Sequence, residues 1–132
     1  MSQKKFLFVN RKAPYGTVYA LESLEVVLIS AAFEQDVSVA FLDDGVYQLL
    51  KAQDGRALGM KNFAATFRAL GDYGVTRLYV ERDALSVRGL TAADLMDITY
   101  DDDADQVQSA VILVDQAQMA AIMADHDVIL SF

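Results

Sequence analysis

The chain has 132 residues, 54% of them hydrophobic, and a formal charge of −8, so the expected organisation is one domain over residues 1–132 with one sizeable core. Its apolar stretches fall well short of the roughly 20 residues that cross a bilayer, and an acidic surface with pI near 4.4 repels phosphate backbones and anionic headgroups, so neither membrane nor nucleic acid is an expected partner. There is no cysteine, which excludes disulfides, thiolate metal sites and covalent sulfur chemistry on this chain.

Lys4 and Lys5 precede the apolar run Phe6–Val9, but Asn10, Arg11 and Lys12 cut it off short of a signal-peptide core, so cytoplasmic residence is expected. Phe6–Val9 itself reads as a strand buried on both faces, ended by the turn Asn10–Gly16 with the only proline, Pro14. From about Thr17, a plausible N-cap, to Gln35 the apolar residues recur at helical spacing, with Ala20, Leu24, Val27, Leu28 and Ala31 on one face. Val37–Leu42 is a second strand, followed by Asp43-Asp44-Gly45 as a tight turn into a short helix over Val46–Leu50.

Gln53–Gly59 has little periodicity and reads as a loop, while Phe63, Phe67 and Leu70 mark a helix that ends near Gly71 or Gly74. Arg77–Val80 is a third strand. Asp83–Leu95 holds two short helical pieces broken at Gly89, with Thr91 three residues before Asp94 as a capping signal. Val111–Val114 is a fourth strand, Asp115–Ala124 a helix with Met119, Ile122 and Met123 on one face, and Val128–Leu130 a fifth strand. Alternation of this kind predicts an α/β fold, a parallel sheet with helices on both sides.

Sites in such sheets form at the carboxyl ends of the strands, which points to the loops Asn10–Gly16, Asp43–Gly45 and Glu81–Asp83. The first puts Arg11, Lys12 and Gly16 before a helix start, where an anion can meet free amides. It lacks the paired glycines and terminal Lys-Ser/Thr of a P-loop, so no nucleotide or other cofactor is expected. A ligand-binding role would draw on Arg11, Lys12, Glu81 and Arg82 acting on a small anionic metabolite. His126, the only histidine, has no cysteine for a dyad, and no serine sits in a nucleophile elbow; a helix-end residue is the simpler account of His126. Asp101, Asp102, Asp103 and Asp105 form an acidic run without the glycine and distal glutamate of a calcium loop, and a solvated loop is preferred to a metal site.

The first helix carries a second apolar stripe. At about 100° per residue, Val26, Ile29 and Phe33 fall in a sector of about 60° opposite the core face. Either a neighbouring segment of the same chain covers them or they form a subunit interface, since an exposed Phe-Ile-Val patch is a solubility liability.

Taken together, several strings resemble one family. They are Asn10-Arg11-Lys12-Ala13-Pro14-Tyr15-Gly16-Thr17, Phe41-Leu42-Asp43-Asp44-Gly45-Val46-Tyr47-Gln48-Leu49, Gly59-Met60-Lys61-Asn62-Phe63, Leu70-Gly71-Asp72-Tyr73 and Asp127-Val128-Ile129-Leu130-Ser131-Phe132. They are similar to the DsrF/TusC subunit family of the DsrEFH/TusBCD sulfur-relay complexes, and the fuller first and third strings favour its DsrF, sulfur-oxidation branch. The resemblance implies a three-layer α/β/α sandwich on a five-stranded parallel sheet. It also implies a heterohexamer in which DsrE-like and DsrH-like sister subunits are partners, a sister carries a persulfide cysteine, and sulfur passes to a DsrC/TusE-like acceptor. This subunit class is not the carrier: in the sister chain the cysteine stands just after the third strand, eight residues before a glycine, and counting back from Gly89 gives Glu81. The expected role is therefore a non-catalytic, structural one. Expected partner contacts are Val26, Ile29 and Phe33 on the helix, with Arg11, Lys12, Pro14 and Tyr15 in the first loop and Asp43, Asp44 and Tyr47 in the second. A TusC-like subunit of a transfer-RNA 2-thiouridine relay is the alternative within the family.

Overall fold

The structure, a computed structural model, describes residues 3–13, 19–50 and 64–132. Four helices and seven strands follow in order: β1 (Lys5–Asn10), α1 (Tyr19–Ala32), β2 (Asp36–Phe41), α2 (Ala64–Ala69), β3 (Leu78–Glu81), α3 (Arg82–Ser86), β4 (Thr99–Asp101), β5 (Val107–Ser109), β6 (Val111–Val114), α4 (Gln116–Ala124) and β7 (Val128–Ser131). Short 3-10 turns span Asp43–Leu49, Leu70–Tyr73 and Ala92–Asp94.

Five strands make one sheet in the order β6-β3-β2-β1-β7, and every pairing in it is parallel. The steps β1 to β2 to β3 to β6 all run the same way across the sheet, so right-handed crossovers put their connecting helices on one face. The step from β6 back to β7 runs the other way and puts α4 on the opposite face. Burial agrees with this topology. On β1, Phe8 joins the larger core with Leu24 and Val27 of α1, Phe67 of α2, and Ala84 and Leu85 of α3. Its neighbours Leu7 and Val9 point the other way into a smaller core with Ala40, Val114 and Met119 of α4, as the two-residue period of a strand requires.

Several sequence expectations are met at the residue level. Leu24, Val27, Phe67 and Leu70 are buried, Gly74 ends its turn with φ of 80°, Thr91 and Asp94 form a capping box, and Asp115 caps α4 in another with Gln118. Others are corrected. The short helix expected over Val46–Leu50 is a 3-10 turn that already begins at Asp43. Residues 99–109 contain a two-stranded antiparallel hairpin, β4 with β5, that the sequence reading missed. The acidic run is its turn: Asp102 accepts from the backbone N–H of Ala104 and Gln106 at 2.9 Å each and from Gln108 Nε2 at 3.0 Å. These bonds to the charged form hold its carboxyl below the usual range, the Gln106 amide first among them. The expected N-cap Thr17, the loop Gln53–Gly59, Gly16 and Phe63 lie outside the described residues.

Candidate functional site

The order of the strands reverses between β1 and β7, and ligands of open α/β sheets bind outside the carboxyl ends of the strands at such a point. A cleft of about 450 Å³ lies there, lined among the described residues by Arg11, Lys12, Asp43, Ser131 and Phe132. Its floor is set by close backbone packing. The β1–β7 pairing runs on past both strands, with Phe132 N–H donating to Val9 O at 2.8 Å and Arg11 N–H to Phe132 O at 2.9 Å. At Gly45 a Cβ would fall 1.8 Å from the carbonyl oxygen of Asn10, so the Asp43–Leu49 turn can sit against the end of β1 only because position 45 has no side chain.

A buried chain of side-chain hydrogen bonds supports the same loop. Ser23 Oγ on α1 donates to Asn10 Oδ1, Asn10 Nδ2 donates to Gln48 Oε1 at 3.1 Å, and Gln48 Nε2 donates to the carbonyl oxygen of Lys12 at 2.8 Å. Asn10, Ser23 and Gln48 are all buried, and each bond in the chain satisfies a group that would otherwise be stranded away from water. The segment from Asn10 to Lys12 is thereby tied to both α1 and the Asp43–Leu49 turn.

Above this support the charged groups are matched. Arg11 donates through Nε to Asp43 at 2.9 Å, with Nη2 at 2.8 Å from the same oxygen. Arg88 donates through Nη2 and Nε to Asp44 at 2.9 and 3.1 Å and through Nη1 to the carbonyl of Ala84 at 3.1 Å. Its guanidinium also lies 5.9 Å from the centre of the Tyr47 ring, within cation–π range. Arg88 had no signal in the sequence, because its partner lies 44 residues away.

Glu81 ends β3 beside this group. Burial raises its carboxyl above the ordinary value, and the nearby charges of Asp43 and Asp83 push the same way against Arg88 and Arg11. A carboxylate with two acidic neighbours is poorly placed to receive another anion, and the Arg11 guanidinium is already engaged by Asp43. Among the described residues, no three acidic, histidine or cysteine side chains converge as metal ligands would. His126 lies at the other end of the strands, where its Nδ1 donates to the carbonyl of Ile122 at 2.6 Å as a residue finishing α4.

The structure thus gathers Arg11, Lys12, Asp43, Asp44, Tyr47 and Glu81 at one end of the sheet and leaves Arg82 exposed at the start of α3. Pro14 and Tyr15 lie outside the described residues. The α1 stripe is elsewhere. Ile29 and Phe33 are 57% and 74% exposed, at the amino end of the strands, about 17 Å away along a strand of this length. Val26 is partly buried and packs against the larger core, because the buried arc of α1 extends past Val27 to Ser23, which Asn10 holds inside.

The fold and this site define a doubly wound α/β domain whose strand-end cleft carries matched ion pairs and a glutamate, on a chain with no thiol. Residues 4–132 match the model of the DsrE/DsrF-like family, and the chain belongs to that family. It is 54% identical to the intracellular sulfur oxidation protein DsrF of Allochromatium vinosum, over 98% of this chain and 96% of that one. It is 33% identical to a TusC homolog of Vibrio vulnificus over the whole of both chains. The crystal structure of the YchN protein from E. coli superposes with a TM-score of 0.76 over 99% of this chain and 100% of that one, at 21% identity, a likeness of fold.

Proposed function

We propose that the chain is a non-catalytic structural subunit of a cytoplasmic, heterohexameric sulfur-relay complex acting in intracellular sulfur oxidation, folded as one domain over residues 1–132. DsrE-like and DsrH-like sister subunits are its partners, and a sister carries the persulfide that passes to a DsrC/TusE-like acceptor. The observation that carries this reading is Glu81. It ends β3 at the position that the family resemblance matches to the sister cysteine, and the chain has no cysteine to take its place. A glutamate cannot form a persulfide, and its charge opposes a persulfide anion. The greater identity to DsrF than to the TusC homolog favours sulfur oxidation over transfer-RNA thiolation.

Contacts with sister subunits are assigned to Ile29 and Phe33 on α1 and to the strand-end loops with Arg11, Lys12, Asp43, Asp44 and Tyr47. An exposed Phe–Ile pair on a small acidic protein is the kind of patch that a partner covers. Phe33→Asp tests the assignment. Since Phe33 is 74% exposed, monomer stability should change by no more than about 0.5 kcal/mol, while co-purification with the two sister chains is lost. A variant that assembles normally removes α1 from the interface.

A further inference from the structure

The two sides of the Asp43–Leu49 turn are fixed in different ways. The inner side is held by the core: Val46, Gln48 and Leu49 are buried, and the carbonyl oxygen of Leu49 accepts from the backbone N–H of Met96 at 2.8 Å. The outer side has no such anchor. Asp43 and Asp44 are exposed and Tyr47 is half-buried, and Asp43 takes a φ of 49°, a left-handed backbone that an aspartate adopts only at some cost. The backbone bonds of a short 3-10 turn are weak, so its outer side chains keep one arrangement only if something beyond the turn holds them.

Arg88 is placed to do so. Its backbone is pinned where α3 ends, with Arg88 N–H donating to Leu85 O at 3.0 Å, Gly89 N–H to Ser86 O at 3.1 Å and Leu90 N–H to Leu85 O at 2.9 Å. Gly89 supplies the φ of 70° that closes this end. From there every guanidinium nitrogen is used within the chain: Nη1 returns to the Ala84 carbonyl, Nε and Nη2 both reach Asp44 Oδ1, and the group lies over the Tyr47 ring. A lysine ammonium cannot make that set of contacts, because it has no planar fork. Both bonds to Asp44 fall on one oxygen and no described residue donates to the other, so a side chain that is 59% exposed is oriented with an acceptor to spare.

An exposed ion pair adds little to stability. What this one supplies is order: Asp44 and Tyr47 are held before any partner arrives, and a side chain already held costs less to immobilise on association. We propose that Arg88 is a positioning residue for assembly, which keeps Asp44 and Tyr47 on the outer side of the Asp43–Leu49 turn in the arrangement that a sister subunit binds. This role rests on the turn being a sister contact, as assigned above. It adds the residue on which that contact depends, 44 positions from Asp44 in the sequence and outside the turn itself.

The test titrates the whole chain with its two presumed sister chains and, in parallel, unfolds it alone in denaturant. With the unaltered chain binding both sisters, Arg88→Ala should raise the dissociation constant about tenfold, as expected when two side chains lose their restraint, while the unfolding midpoint stays in place. Arg88→Lys should weaken binding to a similar degree. Asp44→Asn should also weaken it, and the double variant Arg88→Ala with Asp44→Asn should bind no more weakly than the worse single one, since each removes the same clamp. Unchanged binding by Arg88→Ala, or full rescue by Arg88→Lys, overturns the role of Arg88 and leaves the turn as a contact. Losses that multiply to about a hundredfold in the double variant make Arg88 an independent contact and overturn positioning. A fall in the unfolding midpoint that accounts for all the lost binding overturns it too, making Arg88 a residue of the monomer fold. An unaltered chain that binds neither sister removes the assembly reading, and this role with it.

Discussion

The two faces of the sheet differ in how they are finished. On the α1 side, three helices and the Asp43–Leu49 turn bury a continuous core from Phe8 to Ile98, and even the polar groups there, Ser23, Asn10 and Gln48, are bonded to one another. On the α4 side a single described helix shelters five buried residues, and isoleucines stand open at both margins. Among the described residues the first face is the more deeply buried, although Leu130 of β7, in register with Phe8, is 37% exposed at its margin, while the second holds fewer buried residues.

Truncating one large apolar side chain on each side of that division should show it most strongly. Phe67→Ala removes a ring packed edge-on to Phe41, with centroids 5.9 Å apart, and should cost about 4 kcal/mol of unfolding free energy by denaturant titration. Met119→Ala, in the smaller core, should cost about 2 kcal/mol, because a site under one helix collapses more readily. Equal losses would mean that the faces are equally well packed. Gln48→Leu asks whether the buried polar chain belongs to the finished side. It leaves the Asn10 amide without its acceptor and the Lys12 carbonyl without its donor, and a loss of about 1–3 kcal/mol is expected; no change would show that water serves the same groups.

The smallest expected effect is electrostatic and lies on the α4 side, in register with Val114. The folded state raises the Glu81 pKa from its ordinary value of 4.5, so folding disfavours the charged form. Native Glu81 therefore binds its proton more readily than the unfolded chain does, and its penalty is present above the folded pKa and vanishes below 4.5. Glu81→Gln should accordingly raise the melting temperature modestly at pH 7 and leave it unchanged near pH 4. A drop at pH 7 would show that attraction to the charges of Arg88 and Arg11 outweighs burial.

Much of this division was legible in the sequence, because long helical and strand periods report burial directly. The core face of α1, the run Val111–Val114 and the Met119–Ile122–Met123 face all lie where periodicity put them. Features of three residues were not legible: β4 and β5 are each that short, and what aligns them is a turn built around the carboxylate of Asp102. Contacts between distant segments were equally hidden, as with Arg88 on Asp44 and the Ser23–Asn10–Gln48 chain, since neither partner carries a local signal. The alanines of α4 were ambiguous for another reason. Alanine is the best helix former, so its presence on a helix says nothing of contact. At the candidate site, the strand-end loops were found from topology and Glu81 from the family resemblance, but only the structure shows that Arg11 is already matched by Asp43 and Arg88 by Asp44.

The central claim, that this chain serves as a structural member of a sulfur-relay assembly, is tested most directly by its native mass when produced with its two presumed sister chains. The account predicts one stable species of six chains containing two copies of each, with persulfide carried by a sister chain and none on this one. A chain that remains apart from both sisters would contradict it, and would return attention to the cleft between β1 and β7 as a ligand site in its own right.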